Sequence, residues 1–368
     1  MKISRIARIS AIGAVAALAL AGCAANEAPA AEGTDQPGDA STLEGTLNAT
    51  GASSQGAAQE AWVAAFQTAN TGVTINYEPT GSGTGRENFL AGASDFIGSD
   101  RAFKLDEFTA GGFQMCASDA IVEVPLYISP VAVAFNLEGI DSLNLDAKTI
   151  AGIFAGTITN WNDAAIAEQN EGVALPDLVI SPVHRSDDSG TTETFTTYLS
   201  ATAADVWTHE PDGEWPIQSG EAAQGTSGVV QAIKAGNGAI GYADASQTSD
   251  LGQVHVGVGD EYVAYSADAA AALVESSPLE EGRGAGDLVF EVDPAAAPAG
   301  SYPIALVSYL IACEQYEDAN TAALVKSYFE YMAGEEGQQA AADNAGSAPI
   351  SAGLRDKVLA AIDTIKVD

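Results

Sequence analysis

Residues 178–199 read LVISPVHRSDDSGTTETFTTYL, and the change of character along this stretch decides the fold. Leu178–His184 is a short run carrying Val and Ile, a strand signal, whereas Phe195 and Leu199 lie four apart, a helix signal. Between them, Arg185-Ser186-Asp187-Asp188-Ser189-Gly190-Thr191-Thr192 is a turn of small and hydroxyl-bearing residues. Strand, turn and helix in that order are the building unit of an α/β protein. The unit recurs on both sides. Further strands are expected at Thr74–Tyr77, Asp95–Ile97, Ile121–Leu126, Val131–Asn136, Ala239–Tyr242 and Ile304–Ala312. Helical stripes follow Ala58, Trp62, Phe66 and Ala69, then Val325, Phe329 and Met332, then Leu354, Val358, Ile362 and Ile365. Residues Glu275 to Gly300, rich in Glu, Gly, Ala and Pro, read as a surface excursion.

The chain has 368 residues, with 14 Lys+Arg against 50 Asp+Glu and a formal charge of −36. Its 46% hydrophobic content exceeds what a disordered acidic chain carries. This length usually exceeds what one core can serve, so two lobes are expected. The missing basic footprint excludes a general nucleic-acid binder and makes capture by anionic lipid unfavourable.

The N-terminus reads as an address. Lys2, Arg5 and Arg8 precede an apolar run from Ile9 to Ala21, too short for a membrane span and suited to a secretory leader. It ends in Leu20-Ala21-Gly22-Cys23, which resembles a bacterial lipobox. Residues 1–22 are therefore expected to be a lipoprotein signal peptide and Cys23 the lipidated (palmitate-bearing) first residue of the mature chain. Residues 23–43 are then a flexible acidic linker. The alternative is an ordinary signal peptide with an incidental Cys.

With Cys23 lipidated, Cys116 and Cys313 remain in an oxidising compartment, and a disulfide between them is expected, two buried free thiols being the alternative. The bond would put an early and a late segment in one lobe. Residues 44–129 and 256–368 then form lobe I and residues 130–255 lobe II, with two crossing strands as the hinge.

Two more turns share the style of the first. Gly51-Ala52-Ser53-Ser54-Gln55-Gly56 leads into the Trp62/Phe66 helix, and Thr80-Gly81-Ser82-Gly83-Thr84-Gly85 precedes a helix expected to begin near Arg86. At a helix N-terminus, unsatisfied N–H groups and the positive dipole end favour an anion. Ser, Thr and Asp also serve as plain helix caps, and one such turn alone carries little weight. Arg185 adds weight, because Arg is scarce here and its planar fork suits oxyanions. A structural Arg–Asp pair is the bland alternative. There is no phosphate-binding G-x-x-x-x-G-K-[ST] loop and no G-x-S-x-G elbow. His184, His209 and His255 are scattered without ligand spacing, and His184 reads as packing or surface. Neither a catalytic constellation nor a metal or cofactor site is legible.

At these residues the sequence resembles the phosphate-binding lipoproteins of bacterial Pst-type ABC transporters, collinearly from about Leu47 to Ile365. The matching stretches are Leu47 to Ser53, Tyr77 to Gly83, Asp95 to Asp100, Thr159 to Asp163, Arg185 to Thr191 and Gly238 to Tyr242. The Arg-x-Asp-x-Ser-Gly-Thr turn and the Asp-Phe-x-Gly-Ser-Asp strand are the most specific. The resemblance implies a two-lobed periplasmic-binding-protein fold of type II, closing on one dehydrated phosphate. It implies phosphate contacts from Ser53, Ser54, Ser82, Asp100, Arg185, Ser189, Gly190 and Thr191, with Asp187 orienting Arg185. Many family members carry Thr-Phe where this chain has Ser53-Ser54. The implied protein is a monomer with no enzymatic activity, tethered by lipid outside the membrane; the Ala-rich, acidic style and the lipobox fit a Gram-positive surface as well as a periplasm, and the former is the expectation. It delivers phosphate to permease subunits. Alternatives are the same fold holding another tetrahedral oxyanion, a secreted phosphatase using Ser53 or Ser82, and a surface sensor.

Overall fold

The computed structural model describes residues 43–367. The leader, Cys23 and nearly all of the linker lie outside the described residues. The first third alternates strand and helix: β1 (Glu44–Gly51), α1 (Gly56–Ala69), β2 (Gly72–Glu78), α2 (Ser82–Leu90), β3 (Phe96–Ser99) and α3 (Leu105–Ala110). A long strand β4 (Ile121–Phe135) leads to β5 (Ser142–Leu145), α4 (Ala147–Phe154), α5 (Ala164–Ala167), β6 (Ser181–Arg185) and α6 (Gly190–Thr202). Then come β7 (Glu221–Ala223), α7 (Gly225–Ala235), β8 (Ala239–Asp244), β9 (Gly252–Val258), β10 (Glu261–Val263) and α8 (Ala267–Ser276). The chain closes with β11 (Ala305–Cys313), α9 (Ala319–Ala333), α10 (Glu335–Ala345) and α11 (Ala352–Ile362).

Strand order is β2-β1-β3-β11-β4-β8-β6-β7, with β9 joining β4, β5 and β10 at the side. Parallel pairing links β1 to β2 and β3, and β6 to β7 and β8. Antiparallel β4 and β11 run between these two groups and are buried at every residue. They are the crossing strands.

The sequence suggested two strands, Ile121–Leu126 and Val131–Asn136, where β4 is one continuous strand that carries Pro125 and Pro130. The prolines are tolerated for positional reasons. Pro125 faces the register shift between Ser308 and Tyr309, and Pro130 ends the pairing with β11 just before Val131 takes up β8. The helical stripes hold where they face the sheet: Trp62 and Phe66 of α1 and Val325, Phe329 and Met332 of α9 are buried. Ala69 is exposed at the end of α1, and α11 stops at Ile362, leaving Ile365 buried beyond it. The Cys116–Cys313 disulfide is present and closes a span of 197 residues.

The excursion after α8 is anchored rather than loose. Arg283 pairs with Glu280, with Glu123 of β4 at 3.3 Å and with Asp287 at 2.9 Å, and donates to the Phe103 carbonyl at 2.8 Å. Burial, then the neighbouring Asp287, pushes the Glu123 carboxyl well above its ordinary value. Among the described residues no helix is long and apolar enough to cross a membrane.

At the end of β8, Asp244 Oδ1 accepts from Tyr127 Oη at 3.0 Å and from Ser246 Oγ at 2.5 Å, while buried Oδ2 has no partner. Burial raises this carboxyl from 3.8 to about 6. Its stabilising contribution is complete below the unfolded value and is lost as pH rises through about 6. Asp244→Asn removes that dependence. Relative to the variant, the native chain is expected to lose on the order of 3 kcal/mol of unfolding free energy between pH 4 and pH 7. Urea denaturation checks this, and a difference constant with pH would contradict it.

Candidate functional site

The three glycine- and hydroxyl-rich turns meet at the carboxyl ends of parallel strands, where α/β folds place ligands. Ser53 and Ser54 follow β1 and precede α1; Ser82 opens α2; Asp100 follows β3. Arg185 ends β6, and Ser189 caps α6, whose first residues are Gly190 and Thr191. All eight are buried. Helix α2 starts at Ser82, so Arg86, expected near its beginning, lies a turn inside it.

Asp100 is the hub. Its Oδ1 accepts from Ser54 Oγ at 2.5 Å and Ser308 Oγ at 2.6 Å, and its Oδ2 accepts from Thr191 Oγ1 at 2.9 Å. Its own N–H donates to Ser82 Oγ at 3.1 Å. The direction of the Ser308 proton is fixed from behind. Tyr328 Oη donates to Gln59 Oε1, Gln59 Nε2 to Gln55 Oε1, and Gln55 Nε2 to Ser308 Oγ at 2.7 Å. An ionised carboxylate offers about four acceptor positions, so Oδ2 keeps one for a donor from outside the protein.

Arg185 supplies the opposite charge. Its Nε donates to Asp187 Oδ1 at 2.8 Å and its Nη2 to Asp187 Oδ2, a side-on grip that leaves its remaining N–H groups free of Asp187. Asp187 is held in turn by the Gly225 N–H at 3.1 Å. Behind the turn, Tyr242 Oη accepts from the Arg185 N–H at 3.3 Å, and the Tyr242 ring stacks on Phe195 at 4.4 Å. His184 stacks on Trp215 at 5.1 Å, which makes it packing, as expected.

Close approach is written into two glycines. Gly81 has φ +107°, and a Cβ there would lie 2.6 Å from Asp187 Oδ2. A Cβ on Gly190 would lie 2.5 Å from the Asp100 Cβ, a distance real side chains do not reach. Both contacts join the β1–β3 part of the chain to the β6–α6 part.

Sequence reasoning missed two members of this cluster. Ser308 is the one small polar residue inside the apolar strand β11, and that isolation was its signal. Thr226, which with its N–H engages Ser53 Oγ at 3.0 and 3.1 Å, sits in Gly225-Thr226-Ser227-Gly228, a fourth turn of the same style opening α7. Ser189 performs the bland role as well: its Oγ accepts the Thr192 N–H at 3.3 Å as an N-cap. That bond occupies a lone pair and spares its proton. No group of three or more His, Cys, Asp or Glu among the described residues could hold a metal ion.

Two groups of parallel strands are joined by two crossing strands, and a buried carboxylate and guanidinium lie where their turns meet. Residues 29–336 match the PBP superfamily domain PBP_like_2. The phosphate-binding protein PstS 3 of Mycobacterium leprae is 34% identical over 358 residues, covering 94% of this chain and 95% of that one. PstS 3 of Mycobacterium tuberculosis is 35% identical over 87% of this chain and 86% of its own. Among solved structures, the phosphate-bound, high-affinity periplasmic phosphate-binding protein PfluDING aligns with a TM-score of 0.66 at 21% identity, covering 85% of this chain and 93% of that one. A putative phosphate ABC transporter substrate-binding protein from Clostridium perfringens, with bound phosphate, aligns at 0.59 and 20% identity, covering 83% and 100%. The chain belongs to the PBP superfamily and, within it, to the PstS-type phosphate-binding proteins.

The Arg185–Asp187 pair is deeply placed, with side chains 2% and 13% exposed. Asp187→Ala leaves a buried guanidinium without its partner and is expected to cost about 3 kcal/mol of unfolding free energy in ligand-free protein. Urea denaturation reads this directly; a loss below about 0.5 kcal/mol, the scale of an exposed pair, would show that the charge is balanced elsewhere.

Proposed function

We propose that this protein captures inorganic phosphate outside the membrane and delivers it to the permease of an ABC transporter, with no covalent chemistry. The observation that carries this reading is Asp100. It is a buried carboxylate facing an anion site, already holding three hydroxyl donors and keeping an acceptor position on Oδ2. Such a group repels any anion that has no proton to give. Monobasic and dibasic phosphate carry that proton; sulfate at neutral pH does not, and would leave like charges unpaired in a site closed to water.

In this reading phosphate lies between the Ser53-Ser54 turn, Ser82 and Asp100 on one lobe and Arg185, Ser189, Gly190 and Thr191 on the other. The Ser54 hydroxyl proton is committed to Asp100, so in this reading Ser54 serves the ligand through its backbone N–H, a role that any residue at this position can fill. Arg185, oriented by Asp187, offsets the charge of the ligand. The lobes meet along β4 and β11, and their closure is the signal that the permease reads. Export by the leader, lipidation at Cys23 and a monomer held at a Gram-positive cell surface complete the proposal. The lipobox-like Leu20-Ala21-Gly22-Cys23 and the mycobacterial relatives support that placement.

The test is calorimetric titration of ligand-stripped protein lacking residues 1–23. Phosphate is expected to bind tightly and sulfate not at all, and Asp100→Asn is expected to narrow the phosphate preference by at least about 100-fold, the scale of an unpaired buried charge. Silence toward phosphate in folded, stripped protein would overturn the function. Undiminished discrimination in the variant would overturn the role of Asp100.

A further inference from the structure

Beside the anion site, a second set of charges spans the same two parts of the chain. Arg86 of α2, 5% exposed, reaches Asp188 with Nη2 to Oδ2 at 3.0 Å, while its Nη1 donates to Ser99 Oγ at 3.0 Å. Arg101, next to Asp100, places Nε 3.0 Å from Oε2 of Glu193, and Lys104 Nζ lies 3.8 Å from Glu193 Oε1. Arg101 is held from its own side by Glu107, at 2.6 and 3.1 Å. The Gly83 N–H donates to the Asp188 carbonyl at 3.1 Å, so backbone as well as side chain crosses here.

The distribution of sign is one-sided. Arg86, Arg101 and Lys104 outnumber Glu107 on the β3 side, whereas Asp188 and Glu193 face them from the turn and first helical turn of α6. In a chain with only 14 Lys and Arg, this concentration of cations opposite two carboxylates is not the background pattern. Arg101 and Glu193 are each 18% exposed, shielded from bulk water yet within reach of salt. Burial lifts the Glu193 carboxyl against the pull of Arg101 and Lys104, and burial followed by the nearby Arg101 lowers Arg86 against the pull of Asp188, so these charges sit where water is scarce. None of these residues belongs to the proposed phosphate contacts, but each is chained to one. Arg101 adjoins Asp100, Asp188 adjoins Ser189, and Glu193 is one helical turn from Gly190.

We propose that the Arg86–Asp188 and Arg101–Glu193 pairs, the latter reinforced by Lys104, are an electrostatic latch that forms when the lobes shut and sets how long phosphate is retained. The inference rests on the phosphate reading above and adds a control on release. When the lobes separate, all five charges regain water. When they close, each pair shields the other from solvent beside the ligand. The latch therefore acts on dissociation, not on recognition of the anion.

Stopped-flow measurement of phosphate association and release, followed through intrinsic tryptophan fluorescence, tests this in the native chain, Asp188→Asn, Glu193→Gln and the double variant. Each single variant is expected to release phosphate about 10-fold faster with association changed by less than about 3-fold. Release from the native chain is expected to quicken several-fold between about 0.05 M and 0.5 M salt, and the double variant to lose most of that dependence. Urea denaturation without phosphate confirms that the variants are folded. If the native chain binds no phosphate, the function proposed above fails. If phosphate binds but the variants release it at the native rate and with the native salt dependence, the latch is wrong. Slower association with unchanged release would also overturn it, because the charges would then steer the ligand rather than hold the lobes.

Discussion

The hold on the Asp100 carboxylate is the constraint on which the rest of this structure depends. Burying an ionised group is costly unless its lone pairs are met, and here they are met by hydroxyls from three remote segments: Ser54 before α1, Thr191 at the start of α6 and Ser308 in β11. Those bonds join the β1–β3 group, the α6 turn and a crossing strand at one point. The relay from Tyr328 through Gln59 and Gln55 reaches back to α9 and removes the rotational choice at Ser308. In the proposed reading, an acceptor held by three hydroxyls discriminates by protonation, because it favours an anion that brings a proton.

An acidic chain of formal charge −36 assembling an anion site looks contradictory only if charge is summed over the whole surface. Exposed carboxylates farther away than about 8 Å are largely screened at physiological salt. In the proposed reading the groups that count are the Arg185 guanidinium and the N-terminal N–H groups of α1, α2 and α6. Scarce Arg residues are spent inside: the Arg86, Arg185 and Arg283 side chains are all buried against carboxylates, the first two at the Asp187-Asp188 turn and the third against Glu123 and Asp287. The surface carries the surplus of acid and keeps the protein soluble.

Much of this was legible because backbone geometry restricts residue choice. A strand that must turn sharply into a helix and still let another segment approach calls for Gly, Ser and Thr, so the turns at Ser53, Ser82 and Ser189 stood out and do converge. The disulfide followed from having two cysteines left in an oxidising compartment. The α/β class followed from strand–turn–helix repetition. Ser308 and Thr226 carried only faint local signals, and neither signal says that the partner is Asp100 or Ser53. Their roles arise from β11 crossing between β3 and β4, and from α7 facing the β1 turn, relations fixed only by tertiary structure. The expected runs Ile121–Leu126 and Val131–Asn136 are one strand, β4, because Pro125 and Pro130 occupy places where the ladder is already shifted or changing partner. The leader and Cys23 lie outside the described residues.

The most direct measurement is a high-resolution crystal structure of residues 43–367 grown with phosphate at neutral pH. One phosphate oxygen should lie about 2.5–2.7 Å from Asp100 Oδ2, the length of an O–H donating to a carboxylate, with other oxygens on the free N–H groups of Arg185. Phosphate bound with Asp100 turned away, or held elsewhere while this cluster stays as it is, would contradict the assignment of Asp100 as the acceptor that selects the ligand.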